Sequence, residues 1–233
     1  MQRFSSADCL TLWDSGAGLH PLDQGLLVLG AGFPNTPRDS LADWPIGRRN
    51  TALAQLRCSS FGPHLQGWTA CPKCGEKLEI ELDGRMLAEE TKTATEPIIM
   101  NGQSFRPVTS RDLAKAARET EMSLAAVRLA ESCCLDSGKS HNWSNEDLEQ
   151  LGQSLALADP MSETRLALLC PACQNEWEEN LDIVAFLWTE IEGRAKRLLL
   201  EIHTLASAYG WSERDILSLS ERRRALYLEM AQS

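Results

Sequence analysis

The chain predicts a mainly helical α+β protein, with helical arms around a small four-cysteine, zinc-ribbon-like β unit built from two distant knuckles. Three observations predict it. Cys71-Pro72-Lys73-Cys74 and Cys170-Pro171-Ala172-Cys173 are near copies of one another. Each is followed by a strand-like stretch, residues 78–83 after the first and 177–183 after the second. Around them apolar residues recur at helical spacing, most clearly over residues 183–208, with Phe186, Leu187, Ile191, Ala195, Leu198, Leu199, Ile202, Leu205 and Ala206 in the repeat.

Taken in order, Ser5 to Asp8 caps a helix through Leu10, Leu12 and Trp13, which Gly16 to Gly18 ends. His20-Pro21 opens a second helix through Leu26, Leu27 and Leu29, stopping near Gly30 to Gly32. Pro34 and Pro37 mark a loop, residues 39–44 a short helix, and Pro45 starts another carrying Arg48, Arg49, Leu53 and Leu56. The first knuckle and its strand occupy residues 69–83. Residues 86–103 are polar and without a firm period, and read as a loop or weak hairpin with strand candidates at 98–100 and 105–108. Thr109 opens a helix through Ala117, Ser123 caps the next one over residues 124–134, and residues 136–142 form a turn-rich linker. Ser144 caps a helix through Leu148, Leu151 and Leu155, broken by Asp159-Pro160. Residues 166–169 read as a buried strand entering the second knuckle. Gly210 stops the long helix, Ser212 caps a short one over 216–219, and Ser220 opens the last. The organisation is therefore a helical region (1–60), half a ribbon (61–84), a loop plus helical insert (85–164), the other half (165–184) and a C-terminal helical arm (185–233). An internal echo accompanies the twin knuckles: Leu41, Trp44, Arg48, Arg49 and Leu53 have the spacing of Ile216, Leu219, Arg223, Arg224 and Leu228.

The chemistry points to metal. Two cysteines separated by two residues reach one ion when the backbone between them turns tightly, and four thiolates complete a tetrahedral structural zinc site. Cys71, Cys74, Cys170 and Cys173 are the expected ligands and Zn2+ the expected cofactor. Proline presets the turn, and Gly75 supplies the positive φ that follows it. Gln174 stands at the matching position and makes the second turn less ideal. Three other readings stay open: a redox pair, two disulfides, or four buried thiols without metal. A redox pair belongs at a strand-to-helix junction, and disulfides need an oxidising compartment, whereas the N-terminal stretch ahead of the cysteines does not read as a signal peptide and a reducing cytoplasm is expected. Cys9, Cys58, Cys133 and Cys134 lie among apolar residues and read as core thiols. The histidines are scattered, with His141 the one candidate for a stray ligand.

Composition narrows the function. The chain has 233 residues, 43% of them hydrophobic, and a net charge of −10. A binder of phosphate backbones presents a basic face, and Glu176, Glu178 and Glu179 put the opposite sign at the second knuckle. The longest apolar run, residues 183–188, is far too short to span a bilayer. No Ser/His/Asp order, phosphate loop or two-histidine metal motif occurs. Glu89-Glu90 and Glu178-Glu179 read as solvated charge. The class expected is a non-enzymatic protein with protein partners.

The C-terminal stretch, Glu201 to Leu219 with its Tyr209-Gly210-Trp211-Ser212 turn, followed by Arg222-Arg223-Arg224-Ala225-Leu226-Tyr227-Leu228-Glu229, resembles the tail of T4-like phage baseplate proteins. That family includes baseplate hub assembly chaperones, with relatives in contractile tails and extracellular contractile injection systems. Phe61-Gly62-Pro63, Cys71 to Glu79, Phe105 to Leu113 and Cys170 to Trp188 are similar to its zinc-ribbon members. The middle, residues 85–103, departs from the pattern. The resemblance implies a baseplate component or assembly factor working in the cytoplasm during assembly, with other baseplate or tail proteins as partners and no catalytic residue. Tyr209 and Trp211, at a helix break, and Arg222, Arg223 and Arg224 are the candidate partner-binding residues. The other reading of the aromatic pair is a local staple on the long helix. The alternative function is a zinc-ribbon nucleic-acid binder.

Overall fold

The computed structural model describes residues 1–89, 96–136 and 142–231. His141 and Glu90 lie outside them. In chain order the elements are α1 (Ser6–Gly16), α2 (Pro21–Gly32), α3 (Arg38–Ala42), α4 (Ile46–Phe61), β1 (His64–Ala70), β2 (Lys77–Asp83) and α5 (Arg85–Ala88). The insert follows with β3 (Ile98–Met100), β4 (Gln103–Phe105), α6 (Ser110–Ala116), α7 (Met122–Cys133), α8 (Asn145–Ala158) and a 3-10 turn at Pro160–Ser162. The chain closes with β5 (Arg165–Leu169), β6 (Glu176–Asn180), α9 (Ile183–Tyr209), α10 (Glu213–Ser218) and α11 (Glu221–Ala231). It is an α+β protein, mainly α.

One local rule starts four of these helices. Ser5, Thr109, Ser144 and Ser212 each precede an aspartate by three positions, and each pair closes a cap on the first turn. The start expected at Ser123 falls elsewhere. Glu121 is the cap, because its carbonyl already accepts the Ala125 N–H at 3.0 Å and draws Met122 and Ser123 into the helix.

The strands form three separate antiparallel hairpins, β1–β2, β3–β4 and β5–β6. β1 was expected only from residue 69 but begins at His64, since it pairs with β2 along its whole length, from His64 opposite Asp83 to Ala70 opposite Lys77. The second strand of the insert hairpin lies at residues 103–105 rather than 105–108. Asn101 and Gly102 take φ of 51° and 70°, so a two-residue turn sets Met100 opposite Gln103. β5, expected to be buried, alternates between half-buried and exposed, with Leu169 52% exposed. A two-stranded hairpin covers one face and leaves the other to water.

α9 is the spine, packing against α1, α2, α4, α10 and α11. Its N-terminal half closes the main core with Ile183, Val184, Leu187 and Ile191 against Leu29, Leu41, Leu53 and Leu56. Its C-terminal half holds a second cluster, Leu198, Ile202 and Leu205 with Ile216 of α10. The insert carries its own small core, with Phe105 and Cys133 fully buried beside Leu151 and Leu155. Asp112 is fixed there. It accepts the N–H and Oγ1–H of Thr109 and both terminal nitrogens of Arg106, and these bonds outweigh desolvation to hold its carboxyl below the ordinary range.

The internal echo extends to side chains. Leu41 and Ile216 are both fully buried, and the second arginine of each pair is buried too, Arg49 at 6% and Arg224 at 4% exposure. Arg49 bonds Asn50 and Ser110, and Arg224 bonds Glu201 and the Leu219 carbonyl.

Arg57, near the end of α4, ties the first hairpin to the spine. It forks onto Glu190 of α9 at 2.7 and 2.8 Å and donates to the Gly62 and His64 carbonyls. Removing the guanidinium strands two carbonyls and a half-buried carboxylate. Arg57→Met is expected to lower stability by about 3 kcal/mol, more than Glu190→Gln does, in denaturant unfolding of both variants. Asp112 adds an acid-sensitive contribution. Its folded pKa lies below its unfolded one, so the stability it gives is present at neutral pH and lost as pH falls through that lowered value. Asp112→Asn should flatten the acid limb of the stability profile.

Candidate metal centre

The two knuckles are built alike. In each hairpin the first cysteine follows the incoming strand, and its N–H bonds the carbonyl of the fifth residue on, Cys71 to Glu76 at 2.8 Å and Cys170 to Asn175 at 2.9 Å. Its carbonyl in turn accepts the N–H four residues on, from Gly75 and from Gln174, both at 2.9 Å. Gly75 has φ of 75° and Gln174 φ of 56°, so glutamine occupies the left-handed conformation that glycine takes in the first knuckle. The first cysteine of each pair is buried and the second lies nearer the surface.

The four sulfurs of Cys71, Cys74, Cys170 and Cys173 converge, all within 4.8 Å of one another. The closest separations cross between the knuckles: Cys71 to Cys173 is 3.7 Å and Cys74 to Cys170 is 3.6 Å. Those distances are far beyond a disulfide bond of about 2.05 Å, and all eight cysteines are free. Each pair sits inside a β-hairpin rather than at a strand-to-helix junction, which removes the redox-motif reading. The cluster could hold a metal ion, with one sulfur ligand from each cysteine.

The sulfurs do not titrate alike. Burial raises the Cys71 thiol, but the N–H groups of Cys74 and Lys73 and the neighbouring sulfurs outweigh it and bring it down to about 7. The Glu76 N–H lowers the Cys74 thiol, and hydrogen bonds from the other cysteines together with desolvation overcome it, pushing it up to about 12. Asn175 N–H plays the Glu76 part at Cys173, whose thiol is also raised. Four negative sulfurs this close repel one another, and a bound cation is what allows all four to ionise together.

The hairpins meet at a second point. Glu179 of β6 accepts from the Thr69 hydroxyl of β1 at 3.2 Å and from the Trp177 indole at 3.3 Å.

The C-terminal candidates separate. Tyr209 stacks on Trp211 at 4.7 Å, Tyr227 stands edge-on to both, and the Tyr209 hydroxyl donates to the Tyr227 carbonyl at 3.2 Å. The aromatic pair therefore staples α11 to the end of α9. Arg222 and Arg223 are exposed. Arg224 is not available to a partner: it is buried, paired with Glu201 at 3.1 Å and within 3.5 Å of Ser6 Oγ of α1. The arginine run is split because one face of α11 turns inward. Ser6 and Glu221, with Arg194 of α9, complete this contact, and no short motif marks them in the sequence. Cys9 and Cys133 are core thiols, both raised chiefly by burial, to about 11 and about 12.

No helix among the described residues is long and apolar enough to cross a membrane. Comparison with protein-family models, curated proteins and solved structures finds no match.

The left-handed Gln174 is strained relative to glycine. Gln174→Gly is expected to stabilise the protein by about 1 kcal/mol and Gly75→Ala to destabilise it by a similar amount, in denaturant unfolding.

Proposed function

We propose that this chain is a non-enzymatic baseplate component or baseplate assembly factor of a contractile phage tail or contractile injection system, braced by one structural zinc and acting through protein–protein contacts. The closed four-sulfur cluster carries the reading of a braced, non-catalytic part. With zinc–sulfur bonds of about 2.3 Å, a tetrahedron has sulfur–sulfur edges of about 3.8 Å. The cross-knuckle separations of 3.6 and 3.7 Å fit that edge. Soft sulfur ligands in a tetrahedral set favour zinc over hard cations, and four of them leave no position for water or substrate. The zinc contributes to folding by joining two hairpins through cysteines as far apart as Cys74 and Cys170, 96 positions in sequence, on the order of 10 kcal/mol in comparable sites. The assembly role is supported by the resemblance over residues 201–229, where the Tyr209–Trp211 turn and the Arg222-Arg223-Arg224 run lie. The glutamates on β2 and β6 disfavour the nucleic-acid alternative.

Metal analysis of the purified protein should find one zinc per chain, and Cys71→Ser or Cys170→Ser should abolish it together with the fold of both hairpins. Iron in place of zinc, or a metal-free protein that keeps both hairpins, would overturn the assignment. Because protons compete for the sulfurs, zinc affinity should fall as pH is lowered, read by competition with a chromogenic chelator. A pull-down from cells expressing the whole tail operon should recover baseplate proteins, and recovery of none would count against the assembly role.

A further inference from the structure

Trp68 is 71% exposed although it sits within a strand. It stands on the outer face of the first hairpin with Glu79 directly opposite, while Glu81 faces Gln66 one pair further along that face. An indole face beside carboxylates is a site for a cation: the ring attracts it by its quadrupole and the carboxylates by charge. No lysine or arginine of the described residues is recorded over the Trp68 ring, whereas Arg48 lies over Trp44 at 4.0 Å and Arg57 over Phe186 at 5.7 Å.

Trp68 also forms the rim of a groove of about 210 Å³ between the two hairpins and the start of α9. Leu65, Leu82, Leu166 and Phe186 supply apolar walls, and Glu179 stands at its polar side. The volume is below the range of about 300–1,000 Å³ typical of small-molecule pockets and suits a single side chain. Its apolar walls match an aliphatic residue such as valine, since Glu179 is already engaged by Thr69 and Trp177. Gly67 opens the groove, since a Cβ there would meet only Phe186, at 3.7 Å.

We infer that this edge of the metal unit docks a basic, extended segment of a partner protein, whose alternating side chains place a lysine or arginine over Trp68 on the outer face and an apolar residue in the groove on the other. The occupant is fixed by charge complementarity: the chain carries −10 overall, and Glu79, Glu81 and Glu176 are exposed on these two hairpins, while Glu178 pairs with Arg165. This deepens the proposed function and rests on its reading of the chain as a protein that works through protein contacts. The zinc cluster places the two hairpins so that the groove exists, while the contact itself belongs to Trp68 with Glu79 on one face and to the groove on the other.

The test uses the zinc-loaded full chain and two capped synthetic peptides, one alternating arginine with valine and one alternating glutamate with valine. Isotope-edited NMR should show the Trp68 indole and the Leu65 and Leu166 methyl groups shifting with the basic peptide only, and binding should weaken as salt is raised. Trp68→Ala should reduce affinity about tenfold. Gly67→Val, which fills the groove while leaving the cysteines in place, should do the same, with unchanged zinc content reporting an intact fold. Equal binding of both peptides, no binding of the basic one, or full affinity in both variants would overturn the inference. The two proposals fail separately. If the wild-type chain recovers baseplate proteins from the tail operon and both variants recover them equally, the docking face is wrong and the assembly role stands. If wild type recovers none while the basic peptide binds as described, the docking face stands and the assembly role falls.

Discussion

Convergence of four sulfurs from two hairpins is the constraint on which the rest of the architecture depends. Neither hairpin extends the other's sheet, and a two-stranded hairpin alone is marginal in water. Their recorded links across the gap are the sulfur cluster and the Thr69–Glu179 hydrogen bond. The first hairpin follows α4 directly and the second runs straight into α9, so whatever fixes the sulfurs also fixes the angle between those helices. Arg57 reinforces the junction from the other side by holding Glu190 of α9 and the carbonyls that lead into β1.

The helices form a body with α9 as its spine. A 27-residue helix with apolar residues on one face can serve two cores in succession, and α9 does so. The C-terminal arm is locked to it by packed aromatic rings and by the buried Arg224, which reaches Glu201 of α9 and Ser6 of α1 together. A buried guanidinium is costly unless all its donors are used, and that demand makes the contact geometrically specific. The same logic repeats at Arg49 in the other half of the echo, where uncharged Asn50 and Ser110 replace the carboxylate as acceptors, and burial lowers the pKa of the guanidinium. The insert has a small core of its own around Phe105 and an ion pair between Arg106 and Asp112, and it is tied to α4 through Ser110 and Asp159.

Much of this was legible because it is local. A serine or threonine three residues before an aspartate, placed just ahead of an apolar run, caps a helix at Ser5, Thr109, Ser144 and Ser212, and the long apolar stripe of α9 has no other reading. The knuckles announced themselves through residue type, spacing and duplication. Less was legible where pairing decides. β1 has a glycine at its centre and weak alternation, and it becomes a strand because β2 lies beside it. Had its alternation been read from His64, Trp68 would have fallen on the outer face with Gln66 and stood out as an exposed aromatic. The Asn101-Gly102 dipeptide was a usable hairpin signal that would have placed β4 correctly.

The sequence by itself determined the sulfur chemistry of the two knuckles, the helices and most of their caps, because those follow from residue type and from neighbours a few positions away. Tertiary structure alone decided that sulfurs 96 positions apart meet at 3.6 Å, since no local rule brings distant segments together. It also decided that Arg224 turns inward while Arg222 and Arg223 face solvent, because Glu201 of α9 and Ser6 of α1, both remote in sequence, take up its donors.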